Sequence, residues 1–138
     1  MHGEVARDVM GVLRTLFEAR FPIARMELVD VYGGDDEHSM EATNTSGFNC
    51  REATGQPGVG SEHSYGRAID VNPVQNPYVS GGTVLPPAGT AYLDRSRAAK
   101  GLIRPEGLVV RAFTAIGWTW GGTYRSVKDY QHFSATGR

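Results

Sequence analysis

The chain has 138 residues, with 14 lysines and arginines against 15 acidic residues and a formal charge of −1 at pH 7. That length suits one domain over residues 1–138 with a real core and no separate wall-binding or targeting module, while the balanced charge carries no polyanion-binding signature, so nucleic acid is not an expected partner. The single cysteine, Cys50, excludes an intrachain disulfide and a cysteine-rich zinc site, no run approaches a membrane span, and the N-terminus lacks a signal-peptide pattern.

In chain order, Val5, Val9, Val12, Leu13, Leu16 and Phe17 form one apolar stripe, which predicts an amphipathic helix over Glu4–Arg20. Phe21-Pro22 ends it, because a residue before proline leaves the α region. Met26–Tyr32 reads as a short strand. From Gly33-Gly34 to about Glu62 the chain is polar and irregular; a loop that long is usually functional. Arg67–Val71 reads as a buried strand with Ile69 and Val71 on one face and Ala68 and Asp70 on the other. A second long loop, rich in Pro, Gly and Asn, runs from Asn72 through Pro86-Pro87. Tyr92–Lys100 reads as a short helix and Pro105–Ile116 as a longer one stopped by Gly117. Trp118–Trp120 and Tyr130–Ser134 then read as strands. Helices and strands segregated in this way predict an α+β fold, a small antiparallel sheet flanked by helices with long loops.

The chemistry-bearing residues concentrate in two stretches, Ser61-Glu62-His63-Ser64-Tyr65-Gly66-Arg67-Ala68-Ile69-Asp70 and Asp129-Tyr130-Gln131-His132-Phe133. Two imidazoles and a carboxylate make a proper catalytic zinc set, which leaves an open position for water. Gly66 lets the backbone turn tightly, so that His63 and Asp70 converge. In the last strand His132 faces the site while Phe133 anchors the core. A carboxylate between Ile69 and Val71 must be paired or hold a metal, the plain alternative being an ion pair with Arg51 or Arg67. Asp129 suits a general base, but strict pleating puts it on the face opposite His132; it reaches the site only if the chain bends near Tyr130 or residue 129 still belongs to a turn. The acidic run Asp35-Asp36-Glu37-His38 reads as a solvated loop rather than a second ion site. Cys50 reads as a small buried residue rather than a nucleophile.

The pattern Ser61-x-His63-x-x-Gly66-x-Ala68-x-Asp70 followed by Asp129-x-x-His132-Phe133 closely resembles the zinc D-alanyl-D-alanine carboxypeptidase family, including its L-alanyl-D-glutamate peptidase branch. Phe48-Asn49-Cys50-Arg51, Asn72-Pro73-Val74-Gln75-Asn76-Pro77-Tyr78 and Gly117-Trp118-Thr119-Trp120-Gly121-Gly122 resemble further segments of it, so the likeness runs in order from about Phe21 to Phe133. It implies the hedgehog/DD-peptidase fold, His63, Asp70 and His132 as ligands of Zn2+, Asp129 as catalytic base, and Arg51 as a residue that holds substrate or its developing oxyanion. Ser61, Tyr65, Trp118 and Trp120 become candidate substrate-binding residues, although alternate tryptophans in a strand commonly serve the core. The implied activity is hydrolysis of bacterial cell-wall stem peptides, foremost the terminal D-alanyl-D-alanine bond. Internal L-alanyl-D-glutamate cleavage and a non-catalytic zinc-binding module of the same fold are the alternatives. With it come the peptidoglycan stem peptide as partner, a monomeric state, and a secreted or wall-associated place of action, the chain then being the mature part of an exported protein.

Overall fold

Helix α1 spans Gly3–Glu18 in a computed structural model that describes residues 1–137. His2 caps it through Nδ1, which accepts the Glu4 amide at 3.3 Å. Val9, Val12 and Leu16 bury its inner side, whereas Phe17, placed by its spacing on the same stripe, is 82% exposed. One residue advances a helix by about 100°, so Leu16 and Phe17 cannot both face one narrow core.

The central sheet contains β3 (Ala68–Asp70), β6 (Thr119–Trp120) and β8 (His132–Ser134) in the order β3-β8-β6, all antiparallel. Ile69 lies opposite Phe133, and Asp70 opposite His132. Cross-strand partners share a face, so this register sends the apolar pair to one side and the polar pair to the other. On the apolar side α1 and α3 (Leu108–Ala115) cover the sheet, closing a core that includes Leu16, Ile69, Val71, Phe113, Trp120 and Phe133. Phe113 and Phe133 stack with ring centroids 4.3 Å apart. The helix predicted from Pro105 starts at Leu108, because Glu106 takes a left-handed φ of 58° in the preceding turn.

Two further small antiparallel sheets accompany the central one: the hairpin of β1 (Glu52–Ala53) with β2 (Gln56–Gly60), and β4 (Tyr78–Ser80) between β5 (Thr83–Leu85) and β7 (Lys128–Asp129). The long segments are therefore more structured than their composition suggests. The first also contains the short helix α2, Asp36–Glu41. Met26–Tyr32 is not a strand. Its second half is a 3-10 turn over Val29–Tyr32, and Asn44 takes the part of a neighbouring strand, its amide oxygen accepting the Glu27 N–H at 2.8 Å and its Nδ2 donating to the Glu27 carbonyl at 3.1 Å. The predicted helix at 92–100 is likewise absent; a 3-10 turn over Pro87–Tyr92 comes before it instead. Buried Asn76 ties this region down. Its Nδ2 donates to the carbonyls of Val71, Asn72 and Gly101, and its Oδ1 accepts from Ile103 N and the Arg95 guanidinium. Buried backbone groups need partners wherever no ladder supplies them, and here side-chain amides do so.

Candidate metal centre

His63 sits in a 3-10 turn, Glu62–Tyr65, that precedes β3. The buried Ser61 hydroxyl accepts the His63 amide at 3.3 Å and so caps that turn. Gly66 closes it at φ 64°, a left-handed conformation, and a Cβ there would stand 2.6 Å from the His2 nitrogen. The chain thus reverses at the one residue type that both the torsion and the space allow. Asp70 then ends β3 directly across from His132 at the start of β8.

Among the described residues, His63, Asp70 and His132 form a buried cluster whose ligand atoms lie within 4.8 Å of one another. His63 Nε2 is 3.2 Å from Asp70 Oδ2, His132 Nδ1 is 3.0 Å from Asp70 Oδ1, and the two ring nitrogens are 3.2 Å apart. Tetrahedral coordination with metal–nitrogen bonds of about 2.05 Å spaces neighbouring donors by about 3.3 Å, so the cluster is already close to the size a metal requires. The protons agree. Gly47 O lies 2.7 Å from His63 Nδ1, and since a carbonyl can only accept, Nδ1 carries the hydrogen and Nε2 turns its lone pair inward. Burial disfavours the Asp70 carboxylate, but the charge and hydrogen bonds of His63 and His132 outweigh it and hold its pKa far below the usual carboxylate range. Asp70 is an anion in a site that a cation completes. The residues fit a divalent metal.

Asp129 stands outside this cluster and reaches it by a route that strand alternation cannot describe. It ends β7, paired with Tyr78 in one sheet, while β8 begins three residues later in the other. Tyr130 and Gln131 cross between the sheets, with Gln131 O accepting the Val71 amide at 3.0 Å, so no pleat relates Asp129 to His132. The residue is half-buried, yet its Oδ1 is sealed from solvent and has no hydrogen-bond partner. Burial pushes its carboxyl up to about 6, Asp70 adds to the rise, and His132, His63 and Arg51 pull against it. A carboxyl with an unspent oxygen and a pKa near neutrality can both take and return a proton.

Arg51 lies at the edge of the cluster. Its Nε is 2.9 Å from Asp36 Oδ1, one terminal nitrogen donates to the Glu52 carbonyl at 3.2 Å, and the other is 3.8 Å from Asp70 Oδ2. The alternative partner for Asp70, Arg67, pairs with Glu4 at 2.6 Å instead. Trp118 and Trp120 do not line a cleft. They are 5% and 4% exposed, on the core side of the central sheet, with the Trp118 ring 5.6 Å from Phe113 and the Trp120 Nε1 donating to Tyr130 O at 2.9 Å. Large aromatic area is best buried where the indole N–H still finds an acceptor. Tyr65 is 59% exposed and packs over Gly60 of the β1–β2 hairpin. Cys50, expected to be buried, is exposed.

Three contributors escaped the sequence reading. Asp36, assigned to a solvated acidic loop, pairs with Arg51, while Asp35 caps α2 by accepting the His38 amide. The Gly47 carbonyl has no sequence signal at all. Gly121 does have one: it follows Trp120 in a Gly-Gly pair, and a Cβ there would sit 2.6 Å from Asp129 O and 2.8 Å from Asp129 Cβ.

Compared with known proteins, residues 54–135, which hold the three cluster residues and Asp129, match the family model described as D-alanyl-D-alanine carboxypeptidase. No curated protein and no solved structure matches the chain.

Proposed function

The chain belongs to the D-alanyl-D-alanine carboxypeptidase family, and from that premise we propose that it is a zinc-dependent peptidase acting on bacterial cell-wall stem peptides, with the terminal D-alanyl-D-alanine bond as its first substrate. The observation that carries this reading is the juxtaposition of a buried two-histidine, one-aspartate donor set with the sealed, partnerless carboxyl oxygen of Asp129. A zinc ion held by His63, Asp70 and His132 would supply Lewis acidity, polarising the scissile carbonyl and making water acidic enough to attack near neutral pH. Asp129 takes the proton of the attacking water and returns it to the departing amine. Without metal, burial raises its pKa; a dication beside it would lower that pKa again and favour the carboxylate that takes the proton. The terminal nitrogen of Arg51 that points toward Asp70 offers a donor to the carbonyl oxygen as negative charge builds there. Gly47 and Ser61 hold the His63 ring and its turn in place through these steps.

A second reading, cleavage of an internal L-alanyl-D-glutamate bond, draws support from Arg51 itself. A free terminal carboxylate is best bound by an open guanidinium fork. Here Asp36 and the Glu52 carbonyl already engage two of the three nitrogens. An internal bond needs no such fork. Either substrate places the protein where peptidoglycan is, acting as a monomer outside the membrane; among the described residues no helix is long and apolar enough to cross one.

The test is digestion of purified stem peptides by zinc-loaded protein, with Asp129→Ala alongside and products identified by mass. Loss of one terminal alanine supports the first reading, and scission after the first L-alanine supports the second. Stoichiometric zinc with no cleavage of either bond refutes both and leaves a binding module.

A further inference from the structure

Arg51 presents an unresolved competition. Asp70 is almost fully buried, and an arginine at contact distance would be its strongest protein partner. Yet the guanidinium stops 3.8 Å short, outside hydrogen-bond range. Its side chain is long enough to swing inward, so something must hold it back. Asp36 Oδ1 sits 2.9 Å from Arg51 Nε, and both side chains are 20% exposed, a setting where charge is only partly screened. The Nε proton makes no aligned hydrogen bond, so this contact is a pairing of charges. Asp36 is itself fixed, because Asn49 Nδ2 donates to the same oxygen at 3.0 Å and Asp35 caps the helix that Asp36 begins. One cation thus stands between two carboxylates, gripped by the one from α2.

We infer that Asp36 is a positioning residue of the metal site: it retains Arg51 by the Nε edge and so leaves the Asp70 carboxylate free to ligate a divalent cation. This rests on the reading that His63, Asp70 and His132 hold zinc. Metal and arginine are rivals for one carboxylate, and Asp36 biases the outcome by supplying the arginine with another anion. Closing unit charges from 3.8 Å to contact, at an effective dielectric of about 20, corresponds to about a tenfold change in a binding constant.

The experiment is a zinc competition titration against a chromophoric chelator, with zinc ion alone as probe and the full chain as parent, Asp36→Asn, Arg51→Gln and the double variant, followed by two further substitutions. Asp36→Asn should weaken zinc binding about tenfold in the parent background, and by less than about twofold once Arg51 is glutamine. Asp36→Glu, which keeps the charge, should track the parent. Asn49→Ala leaves the charge but releases the Asp36 carboxylate. It should lose zinc affinity in the same direction, again only while Arg51 is present, and it serves if Asp36→Asn proves unfolded by circular dichroism. Equal losses in both backgrounds would mean that Asp36 acts as a distant charge and not through Arg51, which overturns the proposal. So would an unchanged affinity in Asp36→Asn. A parent protein that binds no zinc overturns the metal site and this inference together, an outcome distinct from failure of the Asp36 role alone.

Discussion

Gly121→Ala tests how the carboxyl of Asp129, the proposed general base, is placed. A Cβ at this position would meet Asp129 O at 2.6 Å, Asp129 Cβ at 2.8 Å and Tyr124 Cε2 at 3.1 Å. Ordinary contact begins near 3.4 Å, so the Asp129 backbone must yield by about 0.8 Å. That backbone belongs to β7, is paired with Tyr78 of β4, and is no flexible side-chain end. Overpacking of this kind costs about 1–3 kcal/mol, and a misplacement approaching 1 Å in a reacting group costs about 10²-fold in rate. The expected result in urea denaturation is a loss of stability in that range. With whichever stem peptide the parent cleaves, kcat should fall about a hundredfold while zinc affinity is retained, since the atoms an added Cβ meets first belong to Asp129 and Tyr124 and not to a proposed zinc ligand. Gly11→Ala is the control: nothing lies within 4 Å of a Cβ in that turn of α1, and alanine should stabilise the helix by about 0.5–1 kcal/mol. A Gly121→Ala protein with the parent's stability and kcat would refute the claim that this glycine admits Asp129 to the site.

Three further outcomes follow from the same geometry. The Asp129 carboxyl is raised from 3.8 to about 6 by folding, so the folded state binds more protons between those values and stability falls as pH rises through them. In chelator, Asp129→Asn should be more stable than the parent at pH 7 by up to about 3 kcal/mol and equal to it below about pH 4, as read from urea midpoints across pH; a gap that does not vary with pH would contradict this. With zinc restored, the same variant should keep the metal and lose about 10²–10⁴ in turnover. Asp70→Asn removes the one anionic donor of the cluster, so zinc at a hundred times the parent's Kd, which should stabilise the parent by about 2.7 kcal/mol, should leave the variant's melting temperature unchanged. Asn76→Ala strands the Ile103 amide and the Val71 carbonyl in the interior, while Asn72 O keeps the residue 76 amide and Gly101 O keeps Asn72 Nδ2; it should cost about 3 kcal/mol in urea denaturation.

The pattern of residue types was enough to bring His63, Asp70 and His132 to one place. His63, Asp70 and His132 stand in short segments where apolar neighbours force strands, and alternation in such strands decides which side chains meet. Ile69 and Phe133 go to the core, so Asp70 and His132 must go to the other face. Period-two and period-3.6 patterns are local, and they survive into the fold because burial acts on one face of each element. The same logic located α1 and α3, erring by a residue or two at most ends. It misplaced Phe17, because an apolar side chain at the margin of a stripe is buried only if a neighbour arrives to cover it.

The remaining features share one cause: each depends on a partner distant in sequence. Asn44 satisfies Glu27 and so removes the need for a strand at 26–32. Trp118 and Trp120 turn inward because Phe113 and Phe133 wait there. Asp36 leaves the solvent because Arg51, fifteen residues on, folds back against the start of α2. Asp129 escapes the alternation that should have turned it from His132 because the chain changes sheets at Tyr130 and Gln131. A pleat fixes direction only within one sheet, and the carboxyl beside the metal cluster owes its position to the place where two sheets meet.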